Sequence, residues 1–197
     1  MEFASILSRF GAKVSVIEYL KECLPVIDKD IAKRVRKQIE KLQGVTFYMD
    51  SAVKAINDNE VVFVSNKNGK ETRLECPACP VLIATGRKPN IEGLNLEAAG
   101  VEYSPKGITV NDNMLTSVPH IYAIGDVTGR QMLAHAATFM GFRAVNAIVG
   151  KADRIRFDIM PSAIFTYPEA AAVGLTEDQC KQQGIECSAL KGYYRAN

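Results

Sequence analysis

The chain has 197 residues, enough to bury a sizeable core in one or two compact units. Its 47% apolar and 23% charged content is that of an ordinary globular protein, and with a net charge of +2 nothing argues for a nucleic-acid or membrane-surface partner, so neither is expected. No apolar run approaches the length of a membrane span, and the start Met1-Glu2-Phe3-Ala4-Ser5 lacks the pattern of a secretion signal, so the cytoplasm is the expected compartment.

Residues 2–10 read as the end of a helix, with Ile6, Leu7 and Phe10 on one face and Gly11 as its stop. Residues 14–17 are a short β-branched run closing on Glu18, the pattern of a buried strand. Asp28 is a suitable N-cap for a second helix whose apolar stripe is Ile31, Val35, Ile39 and Leu42, ended by Gly44. Its basic residues Lys33, Arg34, Arg36, Lys37 and Lys41 are interleaved with Asp28, Asp30 and Glu40, which describes a solvated helix face.

From residue 45 to residue 75 the period changes. Residues 45–49 and 61–64 are strand-like and Asn68-Gly69 is a two-residue hairpin signal, so a small antiparallel meander follows. Residues 81–85 predict a central strand that runs into the turn sequence Gly86-Arg87-Lys88-Pro89-Asn90. An irregular stretch with short strands such as 108–110 precedes a further strand at 121–124. An Ala-rich helix over 132–149 comes next, then a strand at 163–165 and a helix at 177–183. No internal repeat or low-complexity tract is present.

Cysteines number five: Cys23, Cys76, Cys79, Cys180 and Cys187. An odd count in a chain with an adequate core is not a secreted disulfide scaffold. Cys76-Pro77-Ala78-Cys79 has redox-type CxxC spacing, but a redox pair normally sits at a helix N-terminus, and here Pro80 and a strand-like run follow. Cys180 and Cys187 are too widely spaced for the second half of a zinc site, so no metal is expected and the CxxC reads as structural.

Two constellations carry chemistry. A helix followed by a strand ending in an acid is the second half of a dinucleotide-binding βαβ unit, in which Glu18 would accept hydrogen bonds from the adenosine ribose and disfavour a 2′-phosphate. The glycine-rich turn that should precede it is absent, and the chain starts just after its place. In Tyr122-Ala123-Ile124-Gly125-Asp126-Val127, Gly125 would let a ligand lie against the backbone and Asp126 could bond a polyol hydroxyl. The helix opening near Met132-Leu133-Ala134-His135 would present its positive end to a flavin edge that gains negative charge on reduction. Taken singly, Asp126 reads better as a turn aspartate and His135 as a satisfied helix histidine.

Together these segments resemble the pyridine nucleotide-disulfide oxidoreductases. Ala84-Thr85-Gly86-Arg87-Lys88-Pro89-Asn90 is similar to that family's ATGRxPN segment, and residues 116–126 are similar to its second flavin-contacting segment. Met132-Leu133-Ala134-His135-Ala136-Ala137 and Phe165-Thr166-Tyr167-Pro168-Glu169 resemble the family's dihydrolipoamide dehydrogenase branch in particular. The resemblance covers essentially the whole chain, in order and in spacing.

It implies an α/β fold in three parts: a partial Rossmann-like NAD domain with a β-meander at 1–85, an FAD-family central domain at 86–156, and the start of an α+β dimerisation domain at 157–197. It implies FAD and NAD as cofactors. Asp126 and Met132, Leu133, Ala134 and His135 would approach the flavin. Glu2, Glu18, Val53 and Gly86 would lie along the NAD groove, Glu2 near the nicotinamide. Implied partners are a second copy of the chain and components of 2-oxo acid dehydrogenase or glycine cleavage complexes. The implied reaction passes electrons from protein-bound dihydrolipoamide through a redox disulfide and FAD to NAD.

The family's CxxxxC redox pair and first flavin-binding glycine motif are not in this sequence, nor is its His–Glu acid/base dyad. No residue here is therefore assigned a catalytic role, and this piece by itself is expected to be inactive and to associate or to depend on further segments. The alternatives are a related flavoprotein reductase of the glutathione or mercuric type, which Glu18 and the 132–135 segment respectively disfavour, and a non-catalytic nucleotide-binding or assembly module.

Overall fold

The computed structural model describes residues 1–193. The chain divides into two compact units, Met1–Val81 together with the segment from Pro161 onward, and Leu82–Met160. The expected third segment at 157–197 includes residues 194–197, which lie outside the described residues.

The first unit opens with helix α1 (Glu2–Arg9), strand β1 (Ser15–Ile17), helix α2 (Lys29–Gln43) and strand β2 (Thr46–Tyr48). β1 and β2 pair in parallel with Ser15 opposite Thr46, so β1–α2–β2 is a βαβ crossover; residues 45–49, expected in the antiparallel meander, supply its second strand instead, because α2 carries the chain back to run alongside β1. Gly44 stops α2 at φ 65°, a left-handed position that suits glycine. The core of this part is Ala4, Val35, Ile39 and Val45, with Ile39 fully buried.

Three expectations shift here. The buried side of α2 runs through Ala32, Val35 and Ile39, while Ile31 and Leu42 are exposed, so the stripe is turned by one residue at its ends. On α1 the small residues Ala4 and Ser5 are buried, where the helix approaches its neighbours closely, and Ile6, Leu7 and Phe10 are exposed. Arg36 is not on a solvated face: it is largely buried and donates to Glu22 at 2.7 and 3.0 Å and to Glu40 at 2.9 Å.

Strands β3 (Ser51–Ile56), β4 (Glu60–Ser65) and β5 (Glu71–Glu75) form the antiparallel meander, with the expected strand at 61–64 at its centre and β3 in the place expected of residues 45–49. Val61, Val62 and Phe63 of β4 are buried, as befits the central strand, and a bulge interrupts β3 between Val53 and Ala55. After β5 the expected central strand does not form. Residues 81–85 are extended but unpaired, with Ile83 70% exposed. A strand of this type is stable only between neighbours, and among the described residues the parallel sheet ends with β1 and β2.

The second unit holds a two-residue hairpin, β6 (Tyr103–Ser104) with β7 (Gly107–Ile108), a 3₁₀ turn at Gly125–Thr128 and helix α3 (Ala134–Ile148). Leu96, Val101, Ile108 and Ala123 form one cluster, and Met114, Met140 and Ala144 another. The strand expected at 121–124 is reduced to one bridge, Leu115 to Tyr122, flanked by Thr116 N–H to Ile121 O at 2.9 Å and Ala123 N–H to Met114 O at 3.0 Å. Its partner segment is too short for more, because Met114 leaves the extended region at φ 63° and Pro119 carries no donor.

The chain then returns to the first unit with strands β8 (Ser162–Ile164) and β9 (Ala170–Ala172), an antiparallel pair, and helix α4 (Glu177–Gln182). Ile164 packs with Ile27 and Ala32 of the α2 region. Thr176 and Gln179 form a capping box at the start of α4, and the Glu177 amide donates to the Asp28 carboxylate at 2.9 Å. Asp28 stands at the N-cap of α2, yet its side chain serves the neighbouring helix instead of its own.

Candidate functional site

The residues singled out in the sequence fall into both units. Glu2, Glu18 and Val53 belong to the first, while Gly86, Asp126 and residues 132–135 belong to the second.

Glu18 ends β1 and is held from both sides of its peptide. Its N–H donates to Tyr48 O at 2.9 Å, and its carbonyl accepts from Ser51 N–H at 2.9 Å. One carboxylate oxygen accepts the Leu20 N–H at 2.8 Å, which fixes the side chain in a local turn. The other oxygen has no partner among the described residues and can accept a hydroxyl. Val53 presents an exposed apolar side chain from β3, at the bulge.

Glu2, in the first turn of α1, spends one carboxylate oxygen on the Phe165 amide at 2.8 Å. That bond is one side of a feature the sequence did not announce. The Ser5 hydroxyl accepts the Tyr167 N–H at 3.0 Å, and the Arg9 guanidinium lies 4.6 Å from the centre of the Tyr167 ring. Between α1 and residues 165–169 lies an open cleft of about 460 Å³, lined by Ser5, Ile6, Arg9 and that segment. Contacts between residues more than 160 positions apart leave no mark in local periodicity, so no pattern could have flagged this cleft.

In the second unit the 3₁₀ turn is clamped from two directions. Gly125 is buried at φ 72°, and a Cβ there would come within 3.3 Å of the Ala137 Cβ of α3. Its N–H points at the Met140 sulphur at 3.2 Å, and its carbonyl accepts the Thr128 hydroxyl at 2.8 Å. From the other side Gly107 approaches so closely that a Cβ would meet the Thr128 backbone at 2.6 Å. A rigid turn thus carries Asp126, which is exposed and has no side-chain partner among the described residues. α3 starts at Ala134 with Leu133 as its N-cap and no side-chain cap. The positive end of its dipole favours an electron-rich group there. Beside Met132, the Gln131 amide donates to Phe157 O at 2.8 Å, and its buried carbonyl oxygen has no hydrogen-bond partner among the described residues.

Gly86 sits in the extended segment at φ 121°, a glycine conformation with open space around it. It belongs to a different unit from Glu18 and Val53. No helix among the described residues is long and apolar enough to cross a membrane.

Comparison with known proteins gives the family. The family described as pyridine nucleotide-disulphide oxidoreductase matches residues 1–141, and that family's dimerisation domain matches residues 160–197. Dihydrolipoyl dehydrogenase of Bacillus subtilis is 38% identical over 91% of this chain and 39% of its own length. Leghemoglobin reductase of Glycine max is 36% identical over 100% of this chain and 38% of its own. Among solved structures, LpdA from Mycobacterium tuberculosis superposes with a TM-score of 0.77 at 26% identity, covering 93% of this chain and 40% of that one. The chain thus spans about two fifths of the length of the curated relatives it matches. Members of this family use FAD and NAD(H). With a matching family description over most of its length and an α/β fold shared with its solved relatives, this chain belongs to the pyridine nucleotide-disulphide oxidoreductases.

Proposed function

We propose that the chain is part of a dihydrolipoamide dehydrogenase, and that it contributes one acidic hydroxyl-binding residue to each of two cofactor sites. The observation that carries this reading is the clamped turn at Gly125–Thr128, which holds the unpartnered Asp126 carboxylate beside the uncapped start of α3. A bare glycine surface, a free carboxylate and the positive end of a helix fit a ligand with a polyol arm and an electron-rich ring edge, which describes FAD. Asp126 would accept from the ribitol hydroxyls, and Met132, Leu133, Ala134 and His135 would border the ring. The helix dipole there favours added negative charge. When bound, FAD supplies the capacity to pass an electron pair between a dithiol and a nicotinamide.

Glu18 fits NAD in the same terms. One oxygen is oriented by Leu20, and the other is free for the ribose hydroxyls. A 2′-phosphate would meet a fixed negative charge, so NAD is favoured over NADP. Val53 would line the same NAD groove, and Glu2 would lie near the nicotinamide. The cut points near residues 81 and 160 support a central part at 86–156, and the dimerisation-domain match from residue 160 supports a dimerisation part at 157–197 following an NAD part at 1–85. The matched dimerisation domain supports assembly with a second copy. The proposed wider setting is a cytoplasmic 2-oxo acid dehydrogenase or glycine cleavage complex.

The test is a titration of the purified chain with FAD and, separately, with NADH, followed by flavin absorbance and nicotinamide fluorescence. Losing a charge-assisted hydrogen bond should lower affinity about tenfold, so Asp126→Ala weakens FAD and spares NADH, while Glu18→Gln does the reverse. FAD affinity unchanged in Asp126→Ala would overturn the flavin assignment.

A further inference from the structure

Cys76 and Cys79 take no part in either cofactor site, and the structure removes half of the objection that the sequence raised against them. No strand follows Pro80, so the pair is not locked into the edge of a sheet. Instead the Cys79 N–H donates to Cys76 O at 3.2 Å and closes a four-residue turn. Pro77 is its second residue, and Ala78, at φ 53°, its third, the signature of a type II turn. A turn closed in this way holds its end Cα atoms within about 7 Å, and a disulfide needs about 4.4–6.8 Å. The Cys76 N–H donates to Asn59 O at 2.7 Å, which anchors the turn to the β3–β4 connection. Cys79 is exposed and Cys76 half-buried.

We infer that Cys76 and Cys79 form a dithiol that exchanges with low-molecular-weight disulfides of the glutathione class and closes into an intramolecular disulfide. The exposed Cys79 thiolate attacks one sulphur of the small disulfide. A mixed disulfide forms and one small thiolate leaves, taking up the proton that Cys79 lost. Cys76 then gives up its proton and attacks the Cys79 sulphur, the mixed bond breaks, and the second small thiol departs. Two protein thiols lose two electrons and two protons, and the small disulfide gains both.

The order of attack has a physical basis. Hydrogen bonding to Cys79, together with partial burial and the negative charges of Cys79 and Glu60, holds the Cys76 thiol above its ordinary value. Cys76 therefore keeps its proton while Cys79 reacts. The other half of the objection stands and has a consequence: no helix N-terminus stabilises a thiolate here, so exchange quickens as pH rises through the thiol range.

The test incubates the full chain in glutathione buffers of rising oxidised fraction, alkylates the remaining thiols and digests with trypsin. The peptide from Leu74 to Arg87 contains both cysteines and no others. The expected product is that peptide unalkylated and lighter by two hydrogens, formed faster at higher pH. Cys76→Ser should trap a single glutathione on Cys79, and Cys79→Ser should react roughly tenfold more slowly. The inference is overturned by a doubly alkylated peptide at every ratio, by glutathione adducts without the internal bond, or by a bond from this peptide to Cys180 or Cys187. Mapping the unsubstituted chain decides the matter even if a variant does not fold.

Discussion

The meander β3–β4–β5 and the run at residues 81–85 are both apolar, β-branched stretches, and they end differently. β4 has a strand on each side, both delivered by short connections, and Phe63 at its centre is 2% exposed. Ile83, in an equally strand-like sequence, is 70% exposed and pairs with nothing described. Closing a hairpin costs little loop entropy, whereas a strand of a parallel sheet needs neighbours that arrive from far along the chain. Sequence makes a segment competent to be a strand, and the presence of a partner decides whether it becomes one.

The largest expected effect tests that contrast directly. Phe63→Ala should destabilise the first unit by about 3–5 kcal/mol, while Ile83→Ala should stay within about 0.5 kcal/mol, both by denaturant unfolding. Equal losses would mean that residues 81–85 are packed in solution and would erase the difference between the regions.

A middle case is the loop after β1, which is tied to α2 by charge instead of by a ladder. Burial, the largest single influence on Glu22, opposes its ionisation. Hydrogen bonds from Arg36 and the Cys23 amide, with the guanidinium charge, outweigh it and carry Glu22 below the ordinary carboxylate range. The folded state thus binds this proton less tightly than the unfolded chain. The pair's stabilisation is fully present above the ordinary range and is lost as pH falls through the folded value. Arg36→Met should cost about 1.5–3 kcal/mol at neutral pH, because it strands a largely buried carboxylate. In Glu22→Gln, stability measured from pH 7 down to pH 3 should fall less steeply than in the parent. A parallel decline in both proteins would rule out this pair as a source of acid sensitivity.

The smallest effect concerns the turn that separates the two regions. Ala78 occupies a left-handed position that suits glycine. Ala78→Gly should raise the unfolding free energy by up to about 1 kcal/mol, and a loss instead would show that the turn relaxes to another form in solution.

Much of the candidate site was legible before the fold. Glu18 closes a β-branched run, and Gly125-Asp126 precede an Ala-rich helix; both signals are local, because they record what one strand end or one turn requires. The cleft between α1 and residues 165–169 was not legible, nor were the tie of Glu2 to Phe165 and the loan of Asp28 to α4, since each joins distant segments.

By itself the sequence determined the helices, the central strand of the meander and the family, because capping, periodicity and motif spacing act within a few tens of residues, whereas the partner of residues 45–49 was decided by the fold. Only the tertiary structure decided which face of α1 is covered, that Arg36 is drawn in to Glu22, that residues 81–85 stay unpaired, and that Cys76 and Cys79 close a turn of their own. Burial and pairing depend on which surfaces meet, and no single segment encodes its neighbour.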